Sequence, residues 1–128
     1  MKIAADFLST RVVVVSPEQR LADVASAIAE KDALYCAVVQ KSGAFVGLVR
    51  FKEVVARSAN RIFSDLVSSS LPLDINEKME ASLVVNLLQS QGCDELVVLT
   101  SGQRYLGLVT RESLFAWWVG EMKPPPPD

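Results

Sequence analysis

The chain has 128 residues, half of them hydrophobic, with a formal net charge of −2 and a pI near 5.2. That length and apolar content allow a real buried core, and the lack of clustered Lys or Arg removes the electrostatic footprint of a DNA or RNA binder. With no histidine and only Cys36 and Cys93 as cysteines, Ser-His-Asp and Cys-His catalysis and the usual zinc sites are excluded.

No Gly-x-Gly-x-x-Gly or Walker-type sequence occurs, and no acid, base or nucleophile constellation points to an enzyme. Asp6 lies where a signal peptide needs its apolar run, and no stretch has the length of a membrane span, so a cytoplasmic protein is expected.

In chain order, a short turn over residues 3–9 leads into an extended run, Val12 to Val15. Ser16-Pro17-Glu18-Gln19 reads as a capping-box helix start with Pro17 in the first turn, and Leu21, Val24 and Ile28 form one apolar stripe. Two strands, Ala37 to Val39 and Phe45 to Val49, flank a Ser42-Gly43 hairpin turn, and a helix from about Phe51 to Ser58 follows.

The second half repeats this order. A turn over residues 62–68 and an extended Leu71 to Leu73 precede a helix start at Asp74-Ile75-Asn76-Glu77, with Met79, Leu83 and Leu87 as its stripe and Gly92 as its stop. Strands Leu96 to Leu99 and Tyr105 to Val109 flank Ser101-Gly102, and a helix runs from Arg111 to about Val119. Ile3 to Ile62, Asp6 to Asp65, Ser42 to Ser101 and Gly43 to Gly102 are each 59 apart, Ser16 to Asp74 is 58 and Gly47 to Gly107 is 60. Each unit is β-α-β-β-α, giving an α+β fold in which neither half can bury both faces of its sheet alone. The two sheets are therefore expected to pack on each other about a pseudo-two-fold axis. Residues 1–60 form repeat one, 61–120 repeat two and 121–128 a Pro-rich tail or linker. The junctions after Gly47 and Gly107 place a strand end at a helix N-terminus, where unpaired N–H groups can meet an anion.

Over almost its whole length, from about Ile3 to Val119, the chain resembles a tandem pair of CBS domains, the Bateman module. Each repeat of that family ends in Gly-apolar-apolar-Thr/Ser-x-x-Asp, whose Thr or Ser contacts phosphate and whose Asp holds ribose. Adenine lies in an apolar slot between the repeats. The second copy keeps Gly107 and Thr110 but carries Ser113 in place of the Asp, whereas the first carries Arg50 in the Thr position and Glu53 in the Asp position. The resemblance implies one site at Leu108, Thr110, Arg111 and Ser113 with Thr10, Val12 and the Leu34-Tyr35 edge. It implies a second at Arg50 and Glu53 with Ser70, Leu71 and Cys93. Asp94 and Glu95, ahead of the Leu96 strand, oppose a polyphosphate by like charge.

Plainer roles stand beside these. Thr110 is a good N-cap residue, Glu53 suits a first helical turn, Arg50, Arg104 and Arg111 suit a solvated surface, and Cys36 and Cys93 suit core strands. Trp117 and Trp118 lie about 100° apart on a helix, so one is expected in the core and the other at a surface or interface. The resemblance implies a regulatory module that senses AMP, ADP, ATP or S-adenosylmethionine, needs no cofactor, forms a homodimer and acts on an effector domain in a longer protein. The alternative is a dimerisation or interaction scaffold with degenerate nucleotide motifs.

Overall fold

The computed structural model describes residues 2–54 and 56–122. The Pro-rich segment after Met122, expected as a tail or linker, lies outside the described residues.

Two three-stranded sheets form the framework. In the first, β1 (Val12–Val15) pairs in parallel with β2 (Tyr35–Val39), which pairs antiparallel with β3 (Phe45–Arg50). In the second, β4 (Leu73–Asn76), β5 (Glu95–Leu99) and β6 (Tyr105–Thr110) repeat the arrangement. The expected α+β architecture of paired sheets is present. Alternate strand positions serve two cores, as the two-residue pleat requires. Val12, Ala37, Leu48, Val97 and Leu108 meet between the sheets. The outer face of the first sheet buries Val13, Val15, Cys36, Val38 and Val49 beneath α1 (Ala25–Lys31), and that of the second buries Ile75, Leu96, Val98 and Val109 beneath α2 (Ala81–Ser90) and α3 (Arg111–Met122).

The segment that leads into each copy packs on the other copy. Ala4 N–H donates to Met79 O (2.8 Å) and Ser9 N–H to Leu108 O (2.7 Å); the counterparts are Phe63 to Gln19 (2.9 Å) and Ser68 to Leu48 (2.9 Å). Phe7 joins the core of the second sheet and Phe63 that of the first. This exchange explains both motif glycines. A Cβ on Gly47 would overlap Val67 Cγ1, and one on Gly107 would lie 2.9 Å from Leu8 Cδ1. Only a bare backbone lets the crossing segment lie this close.

Several local expectations are corrected. Asp74, Ile75 and Asn76 belong to β4, not to a helix start, because they complete the parallel ladder to β5. Residues 16–19 form a turn in which Ser16 N–H donates to Gln19 Oε1 (2.9 Å), and the helical chain begins only at Leu21 with a 3-10 turn ahead of α1. The buried stripe of α2 is Val84 and Leu88, while Leu83 is exposed. Phe51–Glu53 and Ala56–Asn60 are separate 3-10 turns rather than one helix. Gly92 does close α2 with a positive φ of 59°.

The internal register is 60 throughout the sheets. The β-bulge falls between Val38 and Val39 in one copy and between Val98 and Leu99 in the other. The residue matching Gly43 (φ 94°) is therefore Gln103 (φ 65°), and not Gly102. Gly43 N–H donates to Gln40 O, and Gln103 N–H to Thr100 O, closing equivalent hairpins.

Candidate functional site

β3 and β6 end beside the starts of β2 and β5, because Tyr35 pairs with Arg50 and Glu95 with Thr110, and Arg50 bonds Glu95 across the copies. Each strand-to-helix junction thus faces residues of the other copy.

At the first junction Arg50 is 7 % exposed and Glu95 4 % exposed. Arg50 Nε donates to Glu95 Oε1 (2.9 Å), Nη2 also bonds that oxygen, and Nη1 donates to Ser68 Oγ (2.7 Å) and Ser70 O (2.8 Å). Glu53 reaches Nη1 only at 3.8 Å. A buried guanidinium needs such pairing, since an uncompensated charge there is costly. The surface role weighed for Arg50 does not hold. Beside the pair opens a cleft of about 400 Å³ that brings together Arg50 and Glu53 with Ser70, Leu71 and Cys93, the group expected from sequence, and adds Lys52, Asp94 and Glu95. Its two cations face three carboxylates, so the lining is net negative. The local field disfavours a polyphosphate.

The second junction is smaller. A cavity of about 170 Å³ is lined by Ser9, Leu34, Tyr35, Asp94, Thr110, Arg111 and Glu112. Thr110 and Ser113 bond each other: Ser113 N–H donates to Thr110 Oγ1 (3.0 Å) and Thr110 N–H to Ser113 Oγ (2.9 Å). This is a capping box with serine in the third position. Both side chains already have partners. Arg111 donates to Cys93 O (3.1 Å) and Leu88 O (3.0 Å), which ties the start of α3 to the end of α2. Arg11, which the sequence did not single out, bridges Asp32 (3.0 Å) in the first copy and Glu112 (2.9 Å) in the second. Its position before β1 gave no hint of a partner 101 residues away.

Of the remaining expected residues, Val12 and Leu108 are buried between the sheets, Thr10 is exposed next to Ser9, and Tyr35 borders the smaller cavity. Burial, followed by the charge of Glu95, pushes the Tyr35 phenol up from 10.0 to about 12. Cys36 is enclosed in the first sheet, where burial raises its thiol from 9.0 to about 12. Cys93 is partly exposed at the cleft. Trp117 packs on Phe7 with ring centroids 5.2 Å apart, while Trp118 is 52 % exposed. Among the described residues no His/Cys/Asp/Glu group could hold a metal, and no helix is long and apolar enough to cross a membrane.

Comparison with known proteins agrees with this fold. The model of the CBS domain family matches residues 4–60. The fold is similar to that of a Methanocaldococcus jannaschii protein (16 % identity, TM-score 0.77), a match that takes in 93 % of this chain and 60 % of that one. It is also similar to the CBS domains of a Streptococcus pneumoniae transcriptional regulator (15 %, TM-score 0.74; 91 % and 98 % covered). A third similar structure is CBSX2, an Arabidopsis thaliana CBS-pair protein, in its complex with AMP (19 %, TM-score 0.72; 94 % and 98 % covered). A search of curated protein sequences finds no match.

Proposed function

We propose, starting from the premise that this chain is a tandem CBS pair with its family match at residues 4–60, that it is a regulatory module whose ligand is an adenine-containing molecule. The ligand sits in the cleft beside Arg50. The convergence of Arg50, Glu53, Ser70 and Cys93 from both copies on one cleft of about 400 Å³ carries this reading, and the AMP complex of CBSX2 supports it. A volume of that size suits a nucleoside. Leu71 and Pro72 offer an apolar wall, and Glu53, with its carboxylate largely free, is the acceptor for ribose hydroxyls. The net negative lining ranks AMP and S-adenosylmethionine above ATP. The site at Thr110 ranks second, since its cavity is only about 170 Å³ and Thr110 Oγ1 and Ser113 Oγ also accept N–H groups at the start of α3.

Repeat one then spans 1–60 and repeat two 61–120, and ligand changes their relative orientation through unequal affinity for the two states. That change passes to an effector domain or partner. Phe115, Trp118 and Val119 form an exposed apolar face on α3, and a homodimer that covers it is part of the proposal.

A second reading is a ligand-free interaction scaffold. The specific support for it is that the groups matching the family's phosphate contacts, Arg50 and Thr110, are both engaged by protein partners. Thermal unfolding with AMP, ADP, ATP, S-adenosylmethionine and adenosine separates the two. A ligand at ten times its Kd adds about 1.4 kcal/mol, worth roughly 5 °C in a domain of this size. No shift with any of the five at millimolar concentration defeats the ligand reading.

A further inference from the structure

Arg50 occupies in the first copy the position of Thr110 in the second, and its guanidinium ends inside the cleft wall. It makes four hydrogen bonds to groups from two other segments: two to Glu95 on β5, one to Ser68 Oγ and one to Ser70 O. Ser68 Oγ in turn accepts from Ser70 N–H (3.2 Å), so one guanidinium organises the segment that forms the cleft floor. The second carboxylate oxygen of Glu95 is buried with no hydrogen-bond partner within 3.5 Å, and this carboxylate also interacts with the Tyr35 phenol, which burial and then the Glu95 charge push up. Its charge is therefore compensated by Arg50, and Arg50 is the only cation in direct contact with it among the described residues. An anion that entered here would have to displace a carboxylate that is already bonded, tethered and desolvated.

We infer that Glu95 is a built-in competitor for anions. It occupies the guanidinium that a ligand phosphate would otherwise meet, and it thereby joins β3 of one copy to β5 of the other with no anion bound. Glu95, rather than Arg50, decides whether this cleft accepts phosphate. The biological meaning of that gate rests on the ligand reading above; the gate itself does not. The Thr110 junction shows no equivalent among the described residues, because the bonds to its two hydroxyls come from the start of α3 and not from a buried carboxylate.

The test is isothermal titration of the full chain with inorganic pyrophosphate, and in parallel with adenosine, for wild type, Glu95→Gln and Arg50→Met/Glu95→Gln. Gln keeps an oxygen for Nε while removing the competing charge, so pyrophosphate affinity should rise about tenfold or more, the scale of a charge-assisted contact. The double variant should lose that gain. A folded Glu95→Gln chain that binds pyrophosphate no better than wild type, or a gain that survives in the double variant, overturns the inference. Should circular dichroism show Glu95→Gln unfolded, nitrogen-15 NMR of the wild-type arginine side chains decides: the Arg50 Nε resonance should stay fixed in millimolar pyrophosphate, and its movement there overturns the gate. Failure of adenosine to bind any variant would instead remove the ligand reading and leave the pyrophosphate result standing.

Discussion

Gly47→Ala tests the segment exchange on which the fold depends. The added methyl would overlap Val67 Cγ1 and sit 3.3 Å from both Val67 Cβ and Cγ2. Val67 is β-branched, with one strongly preferred rotamer set, so it has little freedom to turn aside. Its neighbour Ser68 is pinned by a backbone hydrogen bond to Leu48. Overpacking of this kind costs about 1–3 kcal/mol, and the lower unfolded-state entropy of alanine returns about 0.5–1 kcal/mol. The net loss is therefore between about 0 and 2.5 kcal/mol, centred a little above 1 kcal/mol. Gly107→Ala meets the far end of flexible Leu8, at 2.9 Å and 3.1 Å from its two methyls, and should cost less than about 1 kcal/mol. Urea unfolding followed by tryptophan fluorescence measures both. The Gly47→Ala/Val67→Ala double variant should recover about 1 kcal/mol relative to the sum of the singles, since the two sites share one contact. A Gly47→Ala chain more stable than wild type, or singles that add without coupling, would refute the close crossing.

Three further outcomes follow from local geometry. Gln103→Gly should stabilise the chain by about 0.5 kcal/mol, because a left-handed residue bears a steric cost that glycine escapes; an unchanged urea midpoint would contradict φ 65° at that position. Thr110→Ala should cost about 1 kcal/mol through loss of the α3 cap, with faster amide exchange over residues 111–114 and retention of stability in Thr110→Ser; equal loss in both variants would count against capping. Stability should fall on the alkaline side. Burial holds the Cys36 thiol and the Tyr35 phenol neutral in the folded chain, to about 12 in each case against 9.0 and 10.0. The folded state thus keeps protons that the unfolded state releases, and this contribution is complete below about pH 9 and lost as pH rises towards about 12. Urea midpoints should decline from about pH 8 to about 11, Cys36→Ala should flatten the first part of that decline, and a thiol reagent should label Cys93 well before Cys36.

The four-valine run Val12 to Val15, the Val-rich runs around Cys36 and Val97, and the matched glycines at 47 and 107 were sufficient to specify two copies of one strand-helix-strand-strand-helix unit. Short β-branched apolar runs and turn residues are local properties, and local properties are legible in sequence. Helix starts were less so. Ser16 and Asp74 look alike as caps, yet Asp74 is drawn into β4 by its ladder partner Val97, a contact that no short window contains. The same limit hid the left-handed role of Gln103, since the eye pairs Gly43 with Gly102 while the sheets pair it with Gln103.

For the candidate site, sequence alone determined which residues stand at the two junctions: Arg50 and Glu53 at one, Thr110 and Ser113 at the other. Only the tertiary structure decided what those residues do. Arg50 finds Glu95 45 positions away and becomes a buried pair, while Thr110 finds Ser113 in the next turn and becomes a cap. The physical reason is that a charged or hydroxyl group commits to whichever partner its surroundings bring within about 3 Å. Those surroundings exist only once the two sheets have closed on each other and each copy's leading segment has crossed to the other.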